Sequence, residues 1–64
     1  MKNNITFNEN GIAKFENDGK TICLAKCNQS IRNQMYTVWI YGGKTLLRRG
    51  TLSTAISIVE NELK

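Results

Sequence analysis

Trp39, Tyr41, Lys44, Arg48 and Arg49 fall within the single stretch YTVWIYGGKTLLRRGTLSTA, Tyr36 to Ala55. A small core needs some of those aromatics, but it does not need the cations. Side by side, the two residue types have a definite chemistry. Aromatic rings stack on bases or sugars, while Lys and Arg neutralise phosphates. The same types also serve protein docking, where aromatics and Arg anchor an interface.

Other chemistries find little support. Histidine is absent from the chain, which removes the commonest general base and metal ligand. No carboxylate pair, nucleophile–base pair or metal-ligand cluster stands out, so neither an enzyme nor a cofactor or metal site is expected. Gly42-Gly43-Lys44-Thr45 superficially matches a phosphate loop, but the full motif needs glycine where Val38 stands. It reads as a hairpin turn. Cys23 and Cys27 are the only cysteines. On a strand, four residues span ~13 Å, too far for a disulfide between them. They read as small reduced residues, which suits a reducing compartment.

The charge is unevenly spread. The 64 residues carry a formal +4, yet residues 1–19 and 60–64 are each net −1. Between Lys20 and Val59 lie six cations (Lys20, Lys26, Arg32, Lys44, Arg48, Arg49) and no acid. A central segment of one sign points to an anionic partner, with a solvated basic face as the plainer alternative. No apolar run approaches the ~20 residues of a membrane span. The opening MKNNITFNEN has no apolar signal core. A cytoplasmic protein without a membrane partner is therefore expected.

The elements that would position these residues follow from turn chemistry. Asn10-Gly11, Asp18-Gly19 and Gly42-Gly43 recur at short intervals, and each can supply positive φ. With Glu9-Asn10-Gly11 as a loop, Phe7 opposes Ala13 and Ile5 opposes Phe15. With Asp18-Gly19 as a two-residue loop, Phe15 opposes Ile22 and Ala13 opposes Leu24, extending the same apolar face. The polar Asn28–Gln34 reads as a loop, and MYTVWIY as a β-branched and aromatic strand. A Gly42-Gly43 turn pairs Val38 with Leu47, Ile40 with Thr45 and Trp39 with Leu46. After Gly50 the period changes: Leu52, Ala55, Ile56, Val59 and Leu63 form a helical stripe, with Ser53 the expected N-cap and Thr51 its competitor.

The expected fold is therefore α+β: an antiparallel meander of three to five strands with one C-terminal helix on one face. It comprises a hairpin over 4–16, strands over 20–27, 35–41 and 44–49, and a helix over 53–63, all in one small domain. The opposite face would collect Met35, Thr37, Trp39, Tyr41, Lys44, Leu46 and Arg48, with Lys14 on a neighbouring strand and Arg32 and Arg49 at the margin. The plainest alternative makes Trp39 and Leu46 a cross-strand pair that only shields the sheet backbone. A further alternative takes Met35, Trp39, Leu46, Ile12 and Cys23 as an apolar docking patch.

From GGKTLLRRGTLSTA onward the chain resembles the strand–turn–helix of the AP2 and tyrosine-integrase arm-binding domains. Their third strand ends in Gly-Thr-Phe-x-Thr and runs into the helix; here Gly50-Thr51-Leu52-Ser53-Thr54 follows that order with Leu52 in the aromatic's place. YTVWIY stands where those domains carry Trp and Arg contacts. The resemblance spans about residues 20–64. It implies a three-stranded sheet that reads duplex DNA from the face opposite its helix. The family's acidic-Ala-Ala helix start and its first-strand arginines are missing, and an N-terminal hairpin is added.

Two functions are thus expected. One is a small non-enzymatic nucleic-acid-binding protein of the phage or mobile-element kind, with DNA favoured over RNA. The other is a small inhibitor that docks on a host enzyme or defence complex such as a CRISPR effector. So small a core also makes a homodimer through a sheet edge or the open face an expectation.

Overall fold

The computed structural model describes residues 5–27 and 34–64. Four antiparallel strands form one sheet in the order β1 (Ile12–Asn17), β2 (Lys20–Cys27), β3 (Met35–Ile40) and β4 (Thr45–Gly50), followed by helix α1 (Leu52–Leu63). This is the expected α+β meander closed on one face by a C-terminal helix.

The first turn sets the register. Asp18 adopts φ 54° and Gly19 φ 79°, so a two-residue loop reverses the chain with the twist the strands require. Ala13 then faces Leu24 and Phe15 faces Ile22, as the apolar alternation predicts. β2 and β3 continue that face by pairing Ile22 with Ile40 and Leu24 with Val38. Under the helix, Ile22, Leu24, Val38, Ala55 and Val59 are each 0% exposed. Ile40, Tyr36, Leu47, Leu52 and Leu63 pack around them.

Several expected boundaries differ. The expected Glu9-Asn10-Gly11 loop forms, with Gly11 N donating to the Asn8 carbonyl at 2.9 Å and Gly11 at φ 76°, but residues 5–8 before it form no strand, so the hairpin expected over 4–16 lacks its first arm. Asn8 Oδ1 accepts from the backbone N–H groups of Asn10 and Ile12, at 2.9 and 3.0 Å. That side chain gives the backbone a local partner in place of a ladder. Ile5 and Phe7 still reach the core by side-chain packing. Phe7 lies 6.0 Å from the Tyr36 ring, and Lys26 Nζ sits 4.9 Å from the Phe7 centroid. The N-terminal segment thereby covers part of the sheet that the helix leaves open.

The second hairpin turns one residue early. Gly43 N donates to the Ile40 carbonyl at 2.7 Å, with Gly42 at φ 76°, so Tyr41 and Gly42 occupy the corner. β3 therefore ends at Ile40 and β4 begins at Thr45, and Trp39 faces Thr45 instead of Leu46. An irregularity between Trp39 and Val38 then absorbs Leu46 and returns Val38 to Leu47, while a second follows before Tyr36 meets Gly50. Bulges of this kind insert a residue on one strand and bend it. Their consequence is that Leu46 joins Leu47 against the core, although simple alternation puts it on the open face. Thr37 Oγ1 donates to the Leu47 carbonyl at 2.8 Å, satisfying a backbone group that the irregular ladder leaves over.

The helix starts one residue before expectation. Thr51, not Ser53, is its N-cap, and its Oγ1 accepts from Thr54 N at 3.3 Å. At the far end, Asn17 Nδ2 donates to the Leu63 carbonyl and Lys20 Nζ donates to the Glu62 carbonyl at 3.1 Å. The β1–β2 turn thus satisfies carbonyls that a helix C-terminus leaves without partners. Val38→Ala opens a cavity beneath the helix and should cost about 1–3 kcal/mol of stability. Thr51→Ala should cost about 1 kcal/mol by losing the cap, whereas Ser53→Ala should be close to silent. Denaturant unfolding checks all three, and the contrast between Thr51 and Ser53 tests the cap assignment.

Candidate nucleic-acid interface

Strand alternation puts Ile12, Lys14 and Glu16 of β1 on the face opposite the helix. Thr21, Cys23, Ala25 and Cys27 of β2 share it, as do Met35, Thr37 and Trp39 of β3. The middle strand offers only small side chains there. Larger ones rise on both sides, so the face is a shallow trough floored by β2.

Its central row runs Lys14, Cys23, Trp39, Thr45. Although no helix covers this side, Cys23 is only 1% exposed. Its flanking neighbours Lys14 and Trp39 must shut out the water. Trp39 is accordingly half-buried, and its ring serves the sheet as well as any partner. Both cysteines are free thiols.

Lys14 reaches across β2 to place Nζ 5.7 Å from the Tyr41 ring centroid. This is cation–π distance, worth about 0.5–1 kcal/mol at an exposed site. Tyr41 N donates to the Thr21 carbonyl at 2.9 Å, which holds the turn corner against β2. Tyr41 is 68% exposed, the one large apolar side chain so open among the described residues. Lys44, Arg48 and Arg49 are exposed along the same β3–β4 hairpin. Consecutive exposure of Arg48 and Arg49 follows from the bulge before Gly50, since a regular strand would turn one of them inward.

The expected site residues therefore divide. Lys14, Trp39 and Tyr41 come together on the open face, with Lys44, Arg48 and Arg49 on the hairpin at its side. Arg32 lies outside the described residues. Two of the six central cations are used elsewhere: Lys20 pairs with Glu62 at 3.4 Å and Lys26 lies over Phe7. The acid-free segment is thus less concentrated on one face than its charge count implies. Glu16 shares the open face, next to Thr21. The Lys14–Tyr41 contact escaped the sequence because the early turn moves Tyr41 off the strand. The register of Lys14 with Cys23 and Trp39 was its one available signal.

Among the described residues no group of His, Cys, Asp or Glu is placed to hold a metal ion. None of their helices is long and apolar enough to cross a membrane. A polar cleft of about 320 Å³ lies away from the trough, where Asn17, Asp18 and Lys20 meet Glu62 and Lys64. No family model, curated protein or solved structure matches the chain.

The different burial of the two aromatics separates structure from binding. Tyr41→Ala should shift the folding free energy by less than about 1 kcal/mol. Trp39→Ala, which uncovers Cys23, should cost about 1–3 kcal/mol. Thermal unfolding of both variants decides it: a Trp39→Ala midpoint equal to wild type would mean that Trp39 does not shield the sheet.

Proposed function

We propose that the protein is a small non-enzymatic nucleic-acid-binding protein that contacts duplex DNA through the open sheet face and the β3–β4 hairpin. The observation that carries this reading is the contact of Lys14 with the exposed Tyr41 ring on the side of the sheet that no helix covers, with Lys44, Arg48 and Arg49 exposed along the adjoining β3–β4 hairpin. A major groove admits a two-stranded ribbon, and its base edges accept Arg and Lys donors. A-form RNA offers no comparable opening, because its major groove is deep and narrow. The resemblance to AP2 and tyrosine-integrase arm-binding domains supports the same orientation, with the sheet toward DNA and the helix behind it. A host in which phages or mobile elements replicate, and its cytoplasm, are the setting this reading implies.

A specific observation favours a second reading. Ile12, Ala25, Met35 and Trp39 line the trough with half-buried apolar side chains around the buried Cys23, which suits docking on a host enzyme or defence complex as an inhibitor. Copurification from host lysate before and after nuclease treatment separates the two. A partner that survives nuclease favours docking.

Binding to a mixed-sequence duplex should weaken linearly with the logarithm of salt concentration, with a slope of about −0.9 per phosphate neutralised. Arg48→Ala and Lys44→Ala should each flatten that slope by about 1. Tyr41→Ala should weaken binding by about 1 kcal/mol or more while leaving the slope in place. Absence of binding to any DNA at low salt would end the proposal.

A further inference from the structure

The two edges of the sheet are not alike. β4 carries two register irregularities and the exposed side chains of Arg48 and Arg49, features that discourage a further strand. β1 has an uninterrupted register from Ile12 to Asn17. Lys26 N donates to the Gly11 carbonyl at 3.0 Å, so odd-numbered positions along β1 bond to β2. Ile12, Lys14 and Glu16 must then point their N–H and C=O groups away from β2. Those of Ile12 are already taken by Asn8: Asn8 N donates to the Ile12 carbonyl at 3.0 Å, and Ile12 N donates to Asn8 Oδ1 at 3.0 Å. What is left of the edge is the backbone of Lys14 and Glu16.

We propose that a second copy of the chain pairs antiparallel with this edge, about a two-fold axis at Phe15. Two-fold pairing must set outward-pointing residues opposite one another. An axis at Lys14 opposes two lysines, an axis at Glu16 opposes two glutamates, and an axis at Ala13 requires the occupied Ile12. The Phe15 axis alone sets Lys14 against Glu16 of the second copy, twice, and uses all the free backbone groups of the edge. Among the described residues Glu16 is exposed and has no ion-pair partner of its own. Phe15 is only partly buried and would meet Phe15 of the second copy in the non-hydrogen-bonded position, where side chains approach most closely. The product is a continuous sheet with both open faces on one side. This inference does not rest on nucleic-acid binding.

Sedimentation equilibrium of the protein alone tests it, from about 10 µM to about 1 mM, the range such a small interface implies. Wild type should show a monomer–dimer equilibrium. Lys14→Glu and Glu16→Lys should each weaken it about tenfold or more, by turning two attractive cross-strand pairs into repulsive ones. The double exchange, Lys14→Glu with Glu16→Lys, should return the dissociation constant to within about threefold of wild type. Far-UV dichroism keeps folding and association apart. Should loss of the Tyr41 contact destabilise Lys14→Glu, Glu16→Lys alone carries the test. Wild type that stays monomeric throughout, or a folded Glu16→Lys that dimerises like wild type, overturns the proposal. So does a folded double exchange that stays weak. The outcome is independent of any DNA titration.

Discussion

Burial of Leu24 and Val38 beneath Ala55 and Val59 is the contact on which the rest of the molecule depends. A chain of 64 residues buries only roughly 60% of the surface its unfolded form exposes, and one twelve-residue helix covers a single face of the sheet. Every other feature accommodates that shortage. The N-terminal segment lays Phe7 over Tyr36 to extend the covered area. The helix C-terminus borrows Asn17 and Lys20 from the β1–β2 turn as hydrogen-bond donors. The uncovered face shuts Cys23 away with side chains of its own strands.

Much of this was legible in the sequence, and the legible parts had a common cause. Two-period alternation around a glycine turn over-determines register, because a one-residue slip moves every apolar residue to the wrong face. Ala13, Phe15, Ile22, Leu24 and Val38 were therefore readable, as was the stripe of Ala55, Ile56 and Val59. The β3–β4 hairpin was not, since two adjacent glycines allow more than one loop. Alternation cannot say which loop forms, nor that a bulge will restore the Val38–Leu47 pair afterwards. The missing strand before the Glu9-Asn10-Gly11 turn was hidden for a related reason: Ile5 and Phe7 alternate like a strand, yet Asn8 satisfies the backbone locally. Thr51 and Ser53 are both good caps, and only the path of β4 into the helix separates them.

The charge pattern was legible as a count and less so as a location. Lys20 and Lys26 belong to the acid-free segment but serve the helix end and the Phe7 ring. Lys14 comes from the acidic N-terminal part and yet stands on the open face. Linear charge segregation describes the chain, whereas register distributes it over surfaces. A face is built from alternate residues of several strands, so neighbours in sequence part and distant residues meet.

Lys14 constrains any partner that uses the open face. Its arm crosses the trough, shields Cys23 and rests its ammonium by Tyr41, the most open ring on the surface. A ligand that stacks on the Tyr41 face beside Lys14 displaces that ammonium, at a cost of about 0.5–1 kcal/mol. A neutral apolar partner offers the displaced cation nothing in return. A polyanion does, because the freed ammonium can neutralise a phosphate while the ring takes the neighbouring base or sugar. Under the proposed function, the Lys14–Tyr41 contact would therefore favour ligands carrying aromatic and anionic groups at adjacent positions, which is the repeating chemistry of a nucleic acid.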